Sequence, residues 1–273
     1  KQSMNTNFFL KFINKKKYNE LKYKKKIEEN LIFYNNKIKS KISDIYNNIE
    51  KNENLNFLHS GHLGDLIYSL SLIKELSKKK KCNFLIEINK KNKIPYPNHP
   101  SGEVMINGKS FELILPLLKS QNYLNSVKEY SNEKVDVDLN LFREMPFNII
   151  FHSVRWYSHL TGVPLDMQKE FMKVGTIDAF KDKISILRSP RYQNEYINYK
   201  FLSDYKNLIF VGLYKEYLDL KKEIRSLEFH ECKDFLEMAQ IINSSKFFIG
   251  NLCFGFSLAE AMKKPRLLET CPN

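Results

Sequence analysis

The stretch "HSGHLGDLIYSLSLIKEL" at residues 59–76 follows an apolar run at 55–58, and together they predict a strand, a tight turn and a helix. The turn holds Gly61 and Gly64, in a chain that has only nine glycines. One glycine is enough to reverse a chain, whereas two allow a ligand to approach the main chain. Asp65 would lie in the first helical turn. There it would either stabilise the helix N-terminus or supply a catalytic carboxylate.

Short apolar runs alternate with helical patterns on both sides of this turn. Such alternation predicts parallel sheets joined by crossover helices, and thus an α/β protein of two Rossmann-like domains that face a cleft. The first set comprises strands at 55–58, 83–88 and 134–142, helices at 66–76, 117–130 and 151–163, and an Asn-Gly hairpin within 102–114. The second comprises strands at 184–189, 207–212, 228–230, 246–250 and 266–269, with helices at 215–225, 233–243 and 256–262. We expect an N-terminal segment at 1–52 and domains at 53–163 and 164–273.

The N-terminal segment carries an eleven-residue apolar repeat, which predicts a long and nearly straight helix laid against a partner surface. Its members are Ile27, Leu31, Tyr34, Ile38, Ile42, Ile45 and Ile49. Lysine tracts at 15–17 and 24–26 lie near Phe8, Phe9, Phe12 and Ile13. This pattern fits either a solvated helix face or peripheral membrane contact through residues 8–26.

Composition narrows the classes of function. The chain has 273 residues, is 42% hydrophobic and contains no run of about eighteen uncharged apolar residues, so we expect no membrane span. No hydrophobic signal segment is present, and we expect a cytoplasmic protein. The four cysteines form no CxxC pair, so we expect reduced thiols and no metal site. The formal charge is +13, but lysine supplies most of it throughout the chain, and no nucleic-acid motif accompanies it.

In so lysine-rich a chain, the arginines are the basic residues that indicate a binding site, because the planar guanidinium binds two oxygen atoms of one group at once. Arg188 and Arg191 follow the strand at 184–189, where they would either grip a phosphate or lie on the surface. In "VDVDLNLFR" (135–143), Asp138, Asn140 and Arg143 would either line the acceptor side of a cleft or face solvent.

The stretch "FIGNLCFGFSLAEAMKKPRLLE" (248–269) predicts a third candidate. A strand ends near Gly250, and a loop with Gly255 leads into a helix whose free amides suit a diphosphate. Glu260 would accept the hydroxyls of a ribose or else remain a solvated helix residue.

Together these stretches resemble the GT-B glycosyltransferases, and specifically the ADP-heptose:lipopolysaccharide heptosyltransferase-like family. "LGDLIYSLSLIKEL" (63–76) is similar to that family's amino-terminal loop and helix, which implies that Asp65 is the general base. "NLIFVGLYKEY" (207–217) and "KFFIGNLCFGFSLAEAMKKPRLLE" (246–269) resemble its donor-binding half. The expected donor-binding residues are Arg188, Arg191, Gly212, Asn251, Gly255, Ser257 and Glu260, and the expected acceptor or loop residues are Gly61, His62, Gly64, Asp138, Asn140 and Arg143.

The resemblance implies inverting, metal-independent transfer of a sugar from a nucleotide-diphosphate donor to a glycan or lipid-linked acceptor, with no cofactor other than the donor substrate. The donor loop departs from the family pattern, since Asn251, Leu252, Cys253 and Phe256 replace its usual acidic, hydroxyl, glycine and histidine residues. These departures favour the alternative of a non-catalytic nucleotide-sugar or glycan binding module. A third alternative is an assembly protein whose basic N-terminal helix docks on a partner.

Overall fold

The computed structural model describes residues 10–92, 99–146 and 153–271, and it begins with a long helical segment. Helix α1 (Lys15–Phe33) continues through a π-helical turn (Tyr34–Ile38) into α2 (Lys39–Lys51). No residue of α1 is buried, whereas Ile38, Ile42 and Ile45 pack into the core. The long N-terminal helix is therefore confirmed, and only its second half packs against the rest of the chain.

The first sheet has four parallel strands in the order β3-β2-β1-β4. These are β1 (Asn54–His59), β2 (Lys81–Ile86), β3 (Ser126–Glu129) and β4 (Val137–Asp138). The helices of this half are α3 (Leu63–Leu76), α4 (Gly108–Lys119) and α5 (Ser153–Thr161). Helix α5 ends before Gly162, whose φ of +69° lies in the left-handed region that glycine favours.

The second sheet has five parallel strands in the order β7-β6-β5-β8-β9. They are β5 (Ile184–Leu187), β6 (Leu208–Phe210), β7 (Glu228–Phe229), β8 (Phe247–Asn251) and β9 (Arg266–Glu269), with helices α6 (Tyr214–Lys221), α7 (Phe235–Ser244) and α8 (Phe254–Ala261). Two parallel sheets with interleaved helices and an N-terminal helical extension confirm the predicted fold class.

The two halves pack on each other through their helices. Helix α3 contacts α8, and α4 contacts α7. Apolar side chains from both halves, such as Leu70 of α3, Leu117 of α4 and Ile241 of α7, belong to one continuous cluster of buried residues. The carboxyl ends of β1 and β8, each followed by a turn into a helix, consequently meet near the packed helices.

Three predictions in the first half were wrong. The Asn-Gly pair does not form a hairpin, because the Asn107 side chain accepts a hydrogen bond from the Ser110 N–H (2.8 Å) and so caps α4. The helix expected at 117–130 does not form as one element, because α4 ends at Lys119 and residues Ser126–Glu129 form β3. The strand expected at 134–142 stops after two residues, because the Asp138 side chain accepts from the Asn140 N–H (2.9 Å) and turns the chain into a 3-10 helix.

Within the described residues, no helix combines the length and the apolar character needed to cross a membrane. The proposed membrane-contact segment begins at Phe8 and Phe9, which lie outside the described residues.

Candidate functional site

Asp65 lies in the first turn of α3, at the carboxyl edge of the first sheet. Its side chain makes an ion pair with Arg143, with 2.6 Å between Oδ2 and Nη2. The Asp65 side chain is 28% exposed, so solvent reaches the carboxylate. Residue 62 is the N-cap of α3, and no side chain caps the helix there. The carboxylate is therefore engaged with an arginine and is not used as the helix cap.

Gly61 makes room for this ion pair. A β-carbon at position 61 would overlap the guanidinium of Arg143, which crosses the loop on its way to Asp65. The same guanidinium lies over the Phe142 ring, 4.4 Å from its centroid. The predicted glycine turn is thus needed for the close approach of an arginine from the same half of the chain.

Asp138 and Asn140 brace the loop. Asp138 Oδ1 accepts from both the main-chain N–H and the side-chain amide of Asn140, each at 2.9 Å. Asn140 Oδ1 in turn accepts from the N–H of Ser60 (2.8 Å) and from its hydroxyl (2.7 Å). Asn140 is buried, so these two residues hold the loop that precedes α3, and Arg143 is the member of this group that contacts Asp65.

A buried series of hydrogen bonds holds the loop between β1 and α3 in place. The Gly61 N–H donates to His59 Nδ1 (2.9 Å), so Nε2 carries the ring proton and donates to the Tyr157 hydroxyl (2.9 Å). Tyr157 donates to the main-chain carbonyl of Asp65 (3.2 Å). Burial, reinforced by the charge of Arg143, holds the pKa of His59 well below its usual value, and the ring stays neutral.

Arg191 of the second half lies near this loop, at His62. The rings of His62 and His99 lie 5.2 Å apart between centroids. Burial first, and then the positive charges of Arg191, His99 and Arg143, lower the pKa of His62 to about 4. Arg191 follows β5, in a 3-10 helix at Pro190–Tyr192. Two imidazole rings of the first half and an arginine of the second half therefore lie near the loop that precedes Asp65.

Helix α8 lies directly against the start of α3. A β-carbon at Gly64 would lie 3.8 Å from Ser257 Oγ, which is ordinary contact. Ser257 is buried, and its hydroxyl donates to the Phe254 carbonyl (2.6 Å). Gly255 is buried beneath it against Leu187 and Phe248. The α8 residues expected to bind a donor thus lie near Asp65, with little open space around their side chains.

Cys253 is the N-cap residue of α8, and its side chain makes no capping hydrogen bond to the helix. Its thiol donates instead to the Leu187 carbonyl (3.7 Å), and burial raises the pKa of the thiol to about 12. The thiol at the start of α8 is therefore neutral.

Arg188 is committed to a buried ion pair. Its Nε and Nη2 donate to the two carboxylate oxygens of Glu269, at 2.7 and 2.8 Å, and Tyr199 donates to the same carboxylate (2.9 Å). Both members of the ion pair are buried. The structure does not bring Arg188 to a position from which it could bind a ligand without breaking this pair.

The remaining expected donor residues also have partners within the chain. Asn251 is fully buried, and its side-chain amide exchanges hydrogen bonds with the main chain of Ser189 (3.0 and 2.7 Å). Glu260, near the end of α8, pairs with Lys263 and Arg266. Gly212 follows β6, where a β-carbon would press on Phe210 and on Glu216 Oε2.

Sequence reasoning missed Glu216, which lies in the first turn of α6 at the carboxyl edge of the second sheet. Burial raises the pKa of its carboxyl to about 7, although the Leu213 N–H donates to it (3.2 Å). The rule that selected Asp65, an acid in the first turn after a strand, would have selected Glu216 as well. His99 and Tyr157 carried no comparable local signal, because only the fold brings them to the loop.

A surface pocket of about 490 Å³ lies between α2 and α5, lined by Tyr46, Arg155, Ser158, His159, Gly162 and Pro164. Neither Asp65 nor the α8 loop contributes to it. Among the described residues, no group of three or more histidine, cysteine or acidic side chains is arranged to hold a metal ion.

Comparison with solved structures relates this architecture to glycosyltransferases. The heptosyltransferase WaaC of E. coli, solved with ADP, matches with a TM-score of 0.51 at 10% identity, over 79% of this chain and 86% of that chain. A glycosyl transferase family 9 structure from Veillonella parvula DSM 2008 gives 0.49 at 11% identity, over 79% and 80%. ADP-heptose lps heptosyltransferase II of E. coli gives 0.49 at 10%, over 81% and 85%. No family model and no curated protein matches the sequence. The likeness to WaaC shows a shared fold, and the chain is accordingly a two-sheet protein of the GT-B type.

Proposed function

We propose that this protein is a glycosyltransferase that moves a sugar from a nucleotide-diphosphate donor to an acceptor hydroxyl beside Asp65. The observation that carries the proposal is the partly exposed Asp65 carboxylate at the start of α3, which is ion-paired with Arg143 and follows Gly64, the position in contact with Ser257 of α8. WaaC, which has the same fold, was solved with ADP. An acid at the carboxyl edge of a parallel sheet lies where ligands of such folds bind.

Asp65 would act as the general base. Arg143 bonds to Oδ2, so Oδ1 is the oxygen to which an acceptor hydroxyl would donate. As the hydroxyl oxygen attacks the anomeric carbon, its proton passes to Asp65 and the bond from that carbon to the diphosphate breaks. A single displacement of this kind inverts the anomeric centre.

The departing diphosphate would need positive charge, and Arg191 is the arginine of the second half that lies near the Asp65 loop. The N–H groups of Gly255 and Phe256 in the first turn of α8 would add to it, because the N-terminus of a helix offers amide donors and a partial positive charge to an anion. Charge stabilisation by these groups would make a metal ion unnecessary. We further propose that the acceptor is a glycan or a lipid-linked glycan.

A non-catalytic nucleotide-sugar binding module is the second candidate. It is favoured by the partners that the expected donor residues already have, above all the Arg188–Glu269 ion pair and the Asn251–Ser189 hydrogen bonds. In such a protein the Asp65–Arg143 pair would be structural.

The two candidates separate in one experiment. ADP, UDP and GDP, and sugars linked to them, are screened by thermal shift, and release of nucleoside diphosphate is then measured for each donor that binds. Asp65→Asn should lower the release rate by at least about a hundredfold and leave donor binding intact, because only the proton acceptor is lost. The matched control is Asp44→Asn, at an exposed position of α2.

Donor binding without release, unchanged by Asp65→Asn, would establish the binding module instead. If none of the nucleotides raised the melting temperature, both candidates would be rejected.

A further inference from the structure

Helix α3 begins without the side-chain cap that commonly fixes the start of a helix. His62 is its N-cap residue, and its side chain makes no capping hydrogen bond. A serine, threonine, aspartate or asparagine at this position would supply one. Asp65 lies in the first turn of the same helix, so the position of its carboxylate depends on how the rest of the structure holds this turn.

Tyr157 of α5 holds the turn from both of its ends. Its hydroxyl donates to the Asp65 carbonyl (3.2 Å) and accepts from His59 Nε2 (2.9 Å), and His59 Nδ1 accepts from the Gly61 N–H (2.9 Å). The two main-chain groups joined in this way lie on either side of the uncapped N-terminus. The hydrogen-bond series therefore takes the place of the missing cap.

This series is buried and uncharged. The side chains of Tyr157 and His59 are both 0% exposed. Burial first, and then the charge of Asp65, raise the pKa of Tyr157 well above its usual value, so the hydroxyl keeps its proton. The Ser153 side chain adds a hydrogen bond to the same hydroxyl. Removing the hydroxyl would thus leave a buried N–H of His59 without its acceptor.

Helix α5 is itself fixed by the N-terminal helix. The Tyr46 hydroxyl of α2 donates to the carbonyl of His159 (3.2 Å), which follows Tyr157 by two residues. The Tyr46 ring also packs against Gly162, where a β-carbon would lie 2.8 Å from it. The support of Asp65 therefore extends from α2 through α5 to the first turn of α3.

We propose that Tyr157 is a positioning residue for the glycosyl transfer, because its hydroxyl fixes the first turn of α3 and so holds Asp65 where the acceptor hydroxyl would arrive. A purely structural hydroxyl would affect folding stability alone, whereas a positioning hydroxyl also affects the rate of the reaction. A reacting group displaced by about 1 Å can lower a rate about a hundredfold. The catalytic part of this inference rests on the proposed function, whereas the hold on the turn does not.

The test is Tyr157→Phe, which removes only the hydroxyl. The matched control is Tyr123→Phe, because the Tyr123 hydroxyl also donates to a main-chain carbonyl, that of Phe171 (2.7 Å). Tyr123 precedes β3 and thus lies at the opposite edge of the first sheet from Asp65. Hydrogen exchange of the Gly61 amide, relative to the slowest amides of the core, should be at least about tenfold faster in Tyr157→Phe than in wild type. Tyr123→Phe should leave this ratio unchanged.

Turnover is then measured with a donor that binds. Tyr157→Phe should lower kcat at least about tenfold and leave KM for the donor within about twofold, because the Asp65 carboxylate acts on the acceptor and not on the donor. Tyr123→Phe should keep both values.

The wild type supplies a check that needs no variant. Nitrogen NMR of the His59 ring should show the Nε2-protonated tautomer, because the Gly61 N–H occupies Nδ1. An Nδ1-protonated ring, unchanged exchange at Gly61 in Tyr157→Phe, or faster exchange with unchanged kcat would each overturn the proposal. A wild type that transfers no sugar would reject the proposed function, and the catalytic role of Tyr157 with it. The tautomer and exchange measurements use no donor, so they separate that outcome from a failure of the hydrogen-bond series.

Discussion

The contact between Gly61 and Arg143 shows how one small residue controls the candidate site. The guanidinium of Arg143 passes close to position 61 where it bonds to Asp65, and a side chain at position 61 would occupy the same space. We predict that Gly61→Ala displaces the guanidinium from Asp65 and lowers the turnover of the proposed glycosyl transfer. The fold should persist, because the displaced group is the end of a flexible side chain. Turnover and the urea midpoint measured on the same samples would check both points.

Gly64→Ala is the matched control for this prediction. A β-carbon at position 64 meets only Ser257, at an ordinary distance, and alanine favours a helical turn by up to about 1 kcal/mol relative to glycine. In an Arg143→Ala background, Gly61→Ala should have no further effect on turnover. An equal loss with and without Arg143 would show that the glycine is needed for another reason.

Titration of buried side chains gives a second prediction at this scale. Burial lowers the folded-state pKa of His62 to about 4, and it also lowers that of His59. Between about pH 4 and the unfolded-state pKa near 6.5, the unfolded chain therefore binds more protons than the folded chain. Their contribution to the free energy of unfolding therefore rises with pH over that range. Glu216 acts in the opposite sense, because its pKa is raised from 4.5 to about 7 and the folded chain binds the extra proton. The two contributions oppose each other between about pH 4.5 and 6.5.

Glu216→Gln should remove the opposing contribution. Its free energy of unfolding should rise more steeply with pH across this interval than that of wild type, as measured by urea unfolding at a series of pH values. Glu195→Gln, at an exposed position, serves as the control and should leave the profile unchanged. Parallel profiles for Glu216→Gln and wild type would contradict the assignment of a raised pKa to this carboxyl.

Among the secondary-structure elements, the start of α4 is the clearest case in which local pattern misled. An Asn-Gly pair between apolar runs is typical of a hairpin, in which glycine adopts a positive φ. Here Gly108 instead follows the capping Asn107 in a helix, and a β-carbon on it would have no neighbour within 4 Å. Gly108→Ala should therefore leave the free energy of unfolding unchanged or raise it by up to about 1 kcal/mol. Urea unfolding would measure this change.

Asn107→Ala provides the comparison, since it removes the cap and should cost about 1 kcal/mol. A marked loss of stability in Gly108→Ala would mean that this glycine does adopt the hairpin conformation.

The strands of the second sheet were predictable because buried parallel strands are mostly apolar runs, as at Leu208–Phe210 and at the start of Phe247–Asn251. In the first sheet, β3 carries no such run and was expected to be helical. The glycine turn with Asp65 was predictable for a similar local reason. The role of Arg188 was not, because its partner Glu269 lies 81 residues away and only the sheet order brings β5 and β9 to either side of β8. The same holds for Asp65, whose ion pair with Arg143 spans 78 residues.

Across the whole molecule, the two candidate halves of the site are built differently. The first half presents a partly exposed carboxylate held by Arg143, which also donates to Asn140, whereas expected donor residues of the second half bind other groups of that half, as in the Arg188–Glu269 pair. In the proposed function, a donor would therefore bind groups between the two halves, such as Arg191, and not the interior of the second sheet.

The packing of the two halves leads to a final prediction. One cluster of buried apolar residues spans both halves, so we expect them to unfold together. Trp156, the single tryptophan, lies buried on α5 of the first half and reports on that half by fluorescence. Ile241→Ala, in α7 of the second half, should cost about 2–5 kcal/mol and lower the urea midpoints of Trp156 fluorescence and of far-ultraviolet circular dichroism equally. Leu160→Ala, beside the reporter on α5, should also lower both midpoints together. The contrary result would be that Ile241→Ala leaves the fluorescence midpoint unchanged while the circular dichroism signal is partly lost at lower urea. The halves would then be independent domains, and a ligand bound between them would be able to separate them.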